Sequence, residues 1–352
     1  MDGGGSADSD GARIVHGGNL DDARARYGTP EGGWLDLSTG INPHAYPLPA
    51  LPRTLWTALP RADAEAALRE AAARAYAAPS PETVVAAPGT QALIQLLPRV
   101  LASDRAAVVG PTYGEYAPAW RAAGAGVHDV SDLDAGLAAL DGAARPALVL
   151  CNPNNPDGRR WAPDRLAAVA DRLAAAGGTL VVDEAFADVV PEISLAGAAA
   201  RPGLVVLRSF GKFFGLAGLR LGFALCAPTL ARALARALGP WPVPGPALEV
   251  GRIALADDAW QTAMRARLAA DAERLRTLLV EAGFDPVGGT PLYQLVRHAD
   301  AAGWHDRLAR HGVWVRAFPH RATWLRFGLP GDPAGWERLT AALAPGREPS
   351  GA

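Results

Sequence analysis

From about residue 60 onward, short apolar runs alternate with stretches whose apolar positions recur every three or four residues. The runs are Thr83–Ala87, Ala106–Val109, Ala147–Cys151, Thr179–Val182, Leu204–Leu207 and Leu219–Cys226. Apart from Arg220 and the leading threonines they are continuously apolar rather than alternating, which predicts strands buried on both faces. Between them lie amphipathic helices such as Pro163–Ala176 (PDRLAAVADRLAAA), closed by Gly177-Gly178 as a C-cap. Buried strands alternating with helices predict an α/β fold with a mostly parallel sheet covered on both sides. The Pro- and Gly-dense segment Gly239–Pro246 marks a boundary. Beyond it, a long helix from Asp257 to Gly283 leads into short strands near Tyr293, Val313 and Trp324. The expected organisation is a tail over residues 1–12, an arm over 13–45, a large α/β domain over 46–240, a smaller α+β domain over 241–344 and a second tail over 345–352.

Composition narrows the class. With 49% hydrophobic and 20% charged residues among 352, the chain can bury a substantial core. Thirty-four basic against 36 acidic residues leave a net charge of −2 and no basic stripe, so nucleic acid is not an expected partner. Cys151 and Cys226 cannot make a disulfide framework, and neither sits in a C-x-x-C pair. No apolar run reaches the ~18–20 residues of a membrane helix. Residues 1–11 lack the charged and apolar regions of a signal peptide. A soluble, cytoplasmic protein is expected, with no membrane partner.

One count changes the picture. Lys212 is the only lysine, so 33 of the 34 basic residues are arginine. In a chain that uses arginine for generic positive charge, a retained lysine points to work that arginine cannot do. A lysine amine can lose its proton and attack a carbonyl, forming a Schiff base. The competing reading is a solvated surface lysine, and the neighbouring residues decide between the two.

In open parallel sheets, ligands bind at the carboxyl ends of the strands. Gly89-Thr90-Gln91 opens a helix directly after a strand, aiming free N–H groups and the positive helix end at an anion. Asp183 closes an apolar strand and sets a carboxylate at the sheet rim. Ser209, Lys212 and Arg220 form S-x-x-K with an arginine eight residues later (SFGKFFGLAGLR). No acidic residue follows at the spacing of a dinucleotide fold.

Together these pieces resemble the fold-type I pyridoxal-phosphate enzymes of the aspartate-aminotransferase superfamily, class I/II. The resemblance covers roughly residues 14–343, with GTQ, PTY, NPNNPDG, VVDEAF and SFGK…R in order. It implies pyridoxal 5'-phosphate as cofactor, bound covalently by Lys212. It implies that Asp183 pairs with the pyridinium nitrogen, that Asn155 bonds the ring 3-oxygen and that Tyr113 stacks on the ring. Gly89, Thr90, Gln91, Ser209 and Arg220 would cradle the phosphate. A homodimer is implied, with the active site near the interface and the N-terminal arm over it. Two positions depart from the pattern. Phe186 stands where many members have a tyrosine three residues after the aspartate. Leu59-Pro60 stands in place of a Tyr-Pro whose hydroxyl reaches the partner's phosphate.

A finer resemblance is to the threonine-phosphate decarboxylase branch of cobalamin biosynthesis, the neighbour of histidinol-phosphate aminotransferases. It rests on His16-Gly17-Gly18-Asn19, DLSTGINP (36–43), DEAF (183–186), RSFGKFF (208–214) and Gly239-Pro240-Trp241. This implies decarboxylation of L-threonine O-3-phosphate to (R)-1-aminopropan-2-yl phosphate. Arg326 would clamp the α-carboxylate and Arg316 the substrate phosphate, with His16, Gly40 and Asn42 as further substrate residues. Histidinol-phosphate or another amino-acid transamination is the alternative, because it would share every cofactor residue. A non-catalytic regulator of the same ancestry would need a fused DNA-binding domain, for which residues 1–30 are too short. No metal site is expected.

Overall fold

The computed structural model describes residues 16–344; the expected tails at 1–12 and 345–352, and the first residues of the arm, lie outside them. Twelve strands are formed by the described residues: β1 (Leu35–Leu37), β2 (Val84–Ala87), β3 (Arg105–Val109), β4 (Gly126–Val130), β5 (Pro146–Cys151), β6 (Thr179–Asp183), β7 (Leu204–Ser209), β8 (Gly222–Cys226), β9 (Asp285–Thr290), β10 (Tyr293–Arg297), β11 (Val313–Ala317) and β12 (Trp324–Gly328).

Seven of them make the central sheet, in the order β2-β8-β7-β6-β5-β3-β4. All neighbours are parallel except around β8, which runs antiparallel to β2 and β7. The buried strands explain the apolar runs. Val182 and Val206 face one hydrophobic cluster, while Val181 and Val205 face another on the opposite side. The helix expected at 163–176 spans Pro163–Ala175, and Gly177 turns out of it at φ +71°. Gly178 N–H then donates to Leu173 O at 2.8 Å, satisfying a terminal carbonyl.

The sequence pattern missed three strands for identifiable reasons. β4 is a half-exposed edge strand carrying His128 and Asp129, so it has no apolar run. β9 contains Gly288-Gly289, whose packing leaves no room for side chains; a Cβ at Gly289 would sit 2.4 Å from Tyr293 O. β1 has only three residues. Conversely, the run predicted from Leu219 becomes a strand only at Gly222. Ala217–Leu219 forms a 3-10 turn, and Arg220 adopts the left-handed conformation at φ 54°.

β1 pairs in parallel with β11 and completes a five-stranded sheet, β1-β11-β12-β10-β9. The arm therefore carries a strand of the sheet otherwise built from the C-terminal third. Asp258–Glu281 is the long helix anticipated before this sheet. Among the described residues, no helix is long and apolar enough to cross a membrane.

Candidate active site

The carboxyl ends of β2, β5, β6 and β7 open into a cleft of about 750 Å³, closed on the other side by the β11–β12 hairpin and by residues of the arm. That volume suits a ligand of cofactor size together with a small substrate. Lys212 sits in the single turn Phe210–Phe213 directly after β7, and Asn42 N–H donates to its carbonyl at 2.9 Å. Its amine lies 5.9 Å from the centre of the Phe186 ring. Burial pushes the Lys212 amine down to about 8, helped by Arg326 and Arg220 and opposed by Asp183. An amine so tuned is available in its neutral, nucleophilic form near neutral pH.

Asp183 ends β6, and its carboxylate is buried. Oδ2 accepts from the Tyr116 hydroxyl at 2.8 Å, and Oδ1 accepts from Ala185 N–H at 2.9 Å. The Cys151 thiol lies 3.7 Å from Oδ2. Burial raises the Asp183 carboxyl above its usual range, against the bonds from Tyr116, Ala185 and Cys151. Burial likewise raises Tyr116 and Cys151, so both remain protonated donors. Sequence reasoning passed over both. Tyr116 opens the helix Tyr116–Ala122 three residues after Tyr113, and Cys151 is the residue of β5 paired with Asp183. The thiol's place follows from the strand register, which no local sequence signal gives.

At the far wall, Gly89 caps the helix Thr90–Leu101 with φ +81°. A Cβ there would lie 2.6 Å from the Arg220 guanidinium, and a Cβ on Gly222 would lie 2.5 Å from Thr90 N. Glycine is thus required at both positions for backbone amides, guanidinium and Ser209 to converge on one small volume, a cradle suited to a phosphate. Gln91 accepts from the Tyr113 hydroxyl at 3.1 Å and donates to Glu115 Oε2, also at 3.1 Å. Burial, with Glu115 and Asp183 nearby, raises Tyr113 to about 12.

Arg326 and Arg316 are directly paired across β12 and β11, so both side chains leave the same face of the sheet, into the cleft. Arg326 is buried; it donates to Asn155 Oδ1, and to Ser38 O at 2.8 Å. Its guanidinium stands 5.0 Å from the Tyr293 ring centre, and its Nε has no partner among the described residues. Burial, reinforced by Arg316, brings Arg326 down to about 10 against the opposing effect of Tyr293. Asn155 therefore faces Arg326. Gly40 lies against Phe186 and Tyr293, 2.9 Å from each by the measure of an added Cβ. His16 reaches the cleft mouth, with Nε2 2.7 Å from Glu115 Oε1.

Asn42 does not join this group. Its amide is spent internally, donating to Phe213 O at 2.7 Å and accepting from His44 N–H at 2.8 Å, so it braces the Lys212 turn from behind. The sequence reading also missed His320 and Arg321, which line the cleft from the β11–β12 turn. Among the described residues lining the cleft, Lys212, Arg220, Arg316, Arg321 and Arg326 face a single carboxylate, Asp183. Among the described residues, no cluster of metal-ligating side chains occurs.

Comparison with known proteins agrees with this arrangement. A threonine-phosphate decarboxylase from Pseudomonas aeruginosa is 48% identical over 339 residues, covering 96% of this chain and 99% of that protein. A second, from a Sinorhizobium species, is 46% identical over 335 residues, covering 95% and 98%. Among solved structures, a histidinol-phosphate aminotransferase from Sinorhizobium meliloti in complex with pyridoxal-5'-phosphate superposes with a TM-score of 0.77 at 23% identity, covering 94% of each chain. At that identity the likeness speaks for the fold. The pattern of the aminotransferase class I and II family matches residues 37–343, and the chain belongs to that family.

Proposed function

We propose that this protein is a pyridoxal-phosphate-dependent decarboxylase of L-threonine O-3-phosphate, yielding (R)-1-aminopropan-2-yl phosphate for cobalamin biosynthesis in the cytoplasm. The observation that carries the substrate class is the pair Arg316 and Arg326. The two guanidiniums stand directly opposite each other on one sheet face and both line the cleft, and a phosphorylated amino acid brings two anions, one for each. Similarity to two decarboxylases over nearly the full length supports the choice of reaction.

The residues present fit the cofactor. The Gly89–Thr90 amides, Ser209 and Arg220 would hold its phosphate, Asp183 its ring nitrogen, Tyr113 its ring face and Lys212 its carbonyl carbon. When bound, pyridoxal 5'-phosphate supplies an electron-accepting ring conjugated to the substrate α-carbon. Arg326 fixes the substrate carboxylate with a bidentate fork. This orients the carboxylate bond for cleavage in place of the Cα–H bond. Arg316 balances the substrate phosphate at the other end. Buried Asp183 would be held in its charged form by the protonated ring nitrogen, while Tyr116 and Cys151 fix the orientation of its carboxylate. Loss of CO₂ leaves an electron pair at the α-carbon, and Lys212 returns a proton there.

Arg326→Lys keeps the charge and loses the fork. Decarboxylation of O-phospho-threonine is expected to fall about 10²-fold, with side transamination rising relative to it. Arg316→Ala is expected mainly to raise KM for phosphorylated over unphosphorylated threonine. CO₂ release and product mass are the measurements. Wild-type protein that ignored O-phospho-threonine but exchanged amino groups between histidinol phosphate and 2-oxoglutarate would replace this reading with the aminotransferase one.

A homodimer is the second part of the proposal. Leu48, Trp56 and Leu59 are large apolar side chains left exposed along one segment, as is Trp241 in the segment leading to the helix that packs on residues 54–57. Apolar exposure on this scale suits burial by a second copy. Light scattering on the purified protein should give twice the chain mass, and Trp56→Asp should shift it toward the monomer. A wild-type monomer at micromolar concentration would exclude the dimer.

A further inference from the structure

Glu184 and Arg208 each stand one residue from a cleft residue, Asp183 and Ser209, at the ends of the neighbouring parallel strands β6 and β7. Successive side chains on a strand point to opposite faces. Glu184 and Arg208 therefore share the side turned away from Asp183 and Ser209. The backbone ladder runs on beyond β6, with Glu184 N–H donating to Leu207 O at 2.9 Å. On the hidden side, Arg208 Nη1 donates to Glu184 Oε2 at 2.9 Å and Nη2 donates to Asp188 Oδ1 at 2.6 Å. All three side chains are almost fully buried. Glu184 Oε1 also accepts from Leu195 N–H at 2.7 Å, and the Arg208 guanidinium lies 4.4 Å from the Tyr76 ring centre.

Two carboxylates thus meet one guanidinium away from water. Burial raises the Glu184 carboxyl, with Arg208 and the bonds from Ser194 and Leu195 opposing it. Burial disfavours the Arg208 charge as well, yet Asp188 and Glu184 hold it above its ordinary value. A buried ionic cluster of this kind is a poor source of net stability, because desolvation offsets the attraction. What it does supply is direction, since a planar fork fixes both carboxylates at once.

We propose that Arg208 is a positioning residue for the reaction: gripping Glu184 and Asp188 behind the sheet, it fixes Asp183 relative to Ser209 and Lys212 on the cleft side. Two segments that approach the cofactor separately, 183–188 and 208–212, become one rigid edge. The inference rests on the cofactor role given to Asp183, Ser209 and Lys212 above.

The test compares the apo-protein of wild type, Arg208→Lys and Asp188→Asn. Arg208→Lys keeps the charge but cannot bridge both carboxylates; Asp188→Asn keeps an acceptor and removes one charge. Circular dichroism at 20 °C establishes that each is folded, and binding of added pyridoxal 5'-phosphate is followed by quenching of tryptophan fluorescence. Arg208→Lys is expected to bind the cofactor about tenfold or more weakly and to lower kcat, with KM for O-phospho-threonine little changed. Asp188→Asn should move both readouts in the same direction by less. A lower Tm with cofactor affinity and kcat within about twofold of wild type would overturn the positioning role and leave a merely structural cluster. Should Arg208→Lys fail to fold, Asp188→Asn decides the matter on the same readouts. Wild-type apo-protein that failed to bind pyridoxal 5'-phosphate would overturn the cofactor reading itself, and the positioning role with it.

Discussion

Lys212→Ala is expected to abolish turnover, by about 10⁴-fold or more, because on the proposed mechanism one change would remove the covalent anchor and the proton donor together. The absorbance of the lysine-bound cofactor should vanish, while pyridoxal 5'-phosphate should still bind reversibly through the Gly89–Thr90 cradle and Arg220. Borohydride treatment of the wild-type holoenzyme should fix the cofactor on the single tryptic peptide containing Lys212, since no other side-chain amine exists in the chain. Measurable turnover by the alanine variant, or label elsewhere, would remove Lys212 from the mechanism. The amine's downward shift to about 8 has a sign that can be checked. In the apo-protein, acylation of Lys212 should accelerate as pH rises through that value, well below the range of an ordinary lysine.

Asp183→Asn is expected to lower kcat by about 10- to 100-fold, corresponding to loss of a charge-assisted hydrogen bond of about 1.5–3 kcal/mol. The amide retains an acceptor for Tyr116 or Ala185, so the fold should persist and the change should fall on chemistry. Turnover within about tenfold of wild type would leave Asp183 as an ordinary rim residue. The sign of the stability effect follows from the raised carboxyl. Burial disfavours ionised Asp183 in the apo-protein, so Asp183 should contribute most to apo-protein stability at low pH and less as pH rises through its folded pKa. The asparagine variant should lose that dependence.

Much of the central sheet was legible because its strands are buried on both faces. Val181-Val182 and Val205-Val206 cannot be read as anything but interior, and each strand ends on a polar residue that the sheet delivers to its rim. The lone lysine was legible for a different reason, in that the arginine-rich composition made Lys212 an exception. What stayed hidden depends on three-dimensional register. Nothing in the spacing of Cys151 and Asp183 says that adjacent strands set them side by side, and no local pattern says that Arg208 and Glu184 meet behind the sheet. Asn42 shows the opposite failure. The branch resemblance implied a substrate contact, while its amide bonds with Phe213 and His44 give it a bracing task. β4 and β9 escaped because polar and glycine residues interrupt the apolar signal that strands normally give.

The pairing of Leu35 with Val313 has a consequence for how the protein is made. During synthesis β1 leaves the ribosome before any strand of the central sheet, yet the strand it needs emerges only after all of them have been translated. The seven-stranded sheet finds all its strands before that point, in local strand–helix steps, whereas closing so long a loop is slow and comes late. Ser38, whose carbonyl receives Arg326, follows β1 by one residue. The wall of the cleft where Arg326 meets Ser38 is therefore assembled late, after the Gly89–Thr90 turn and Arg220 are already in place.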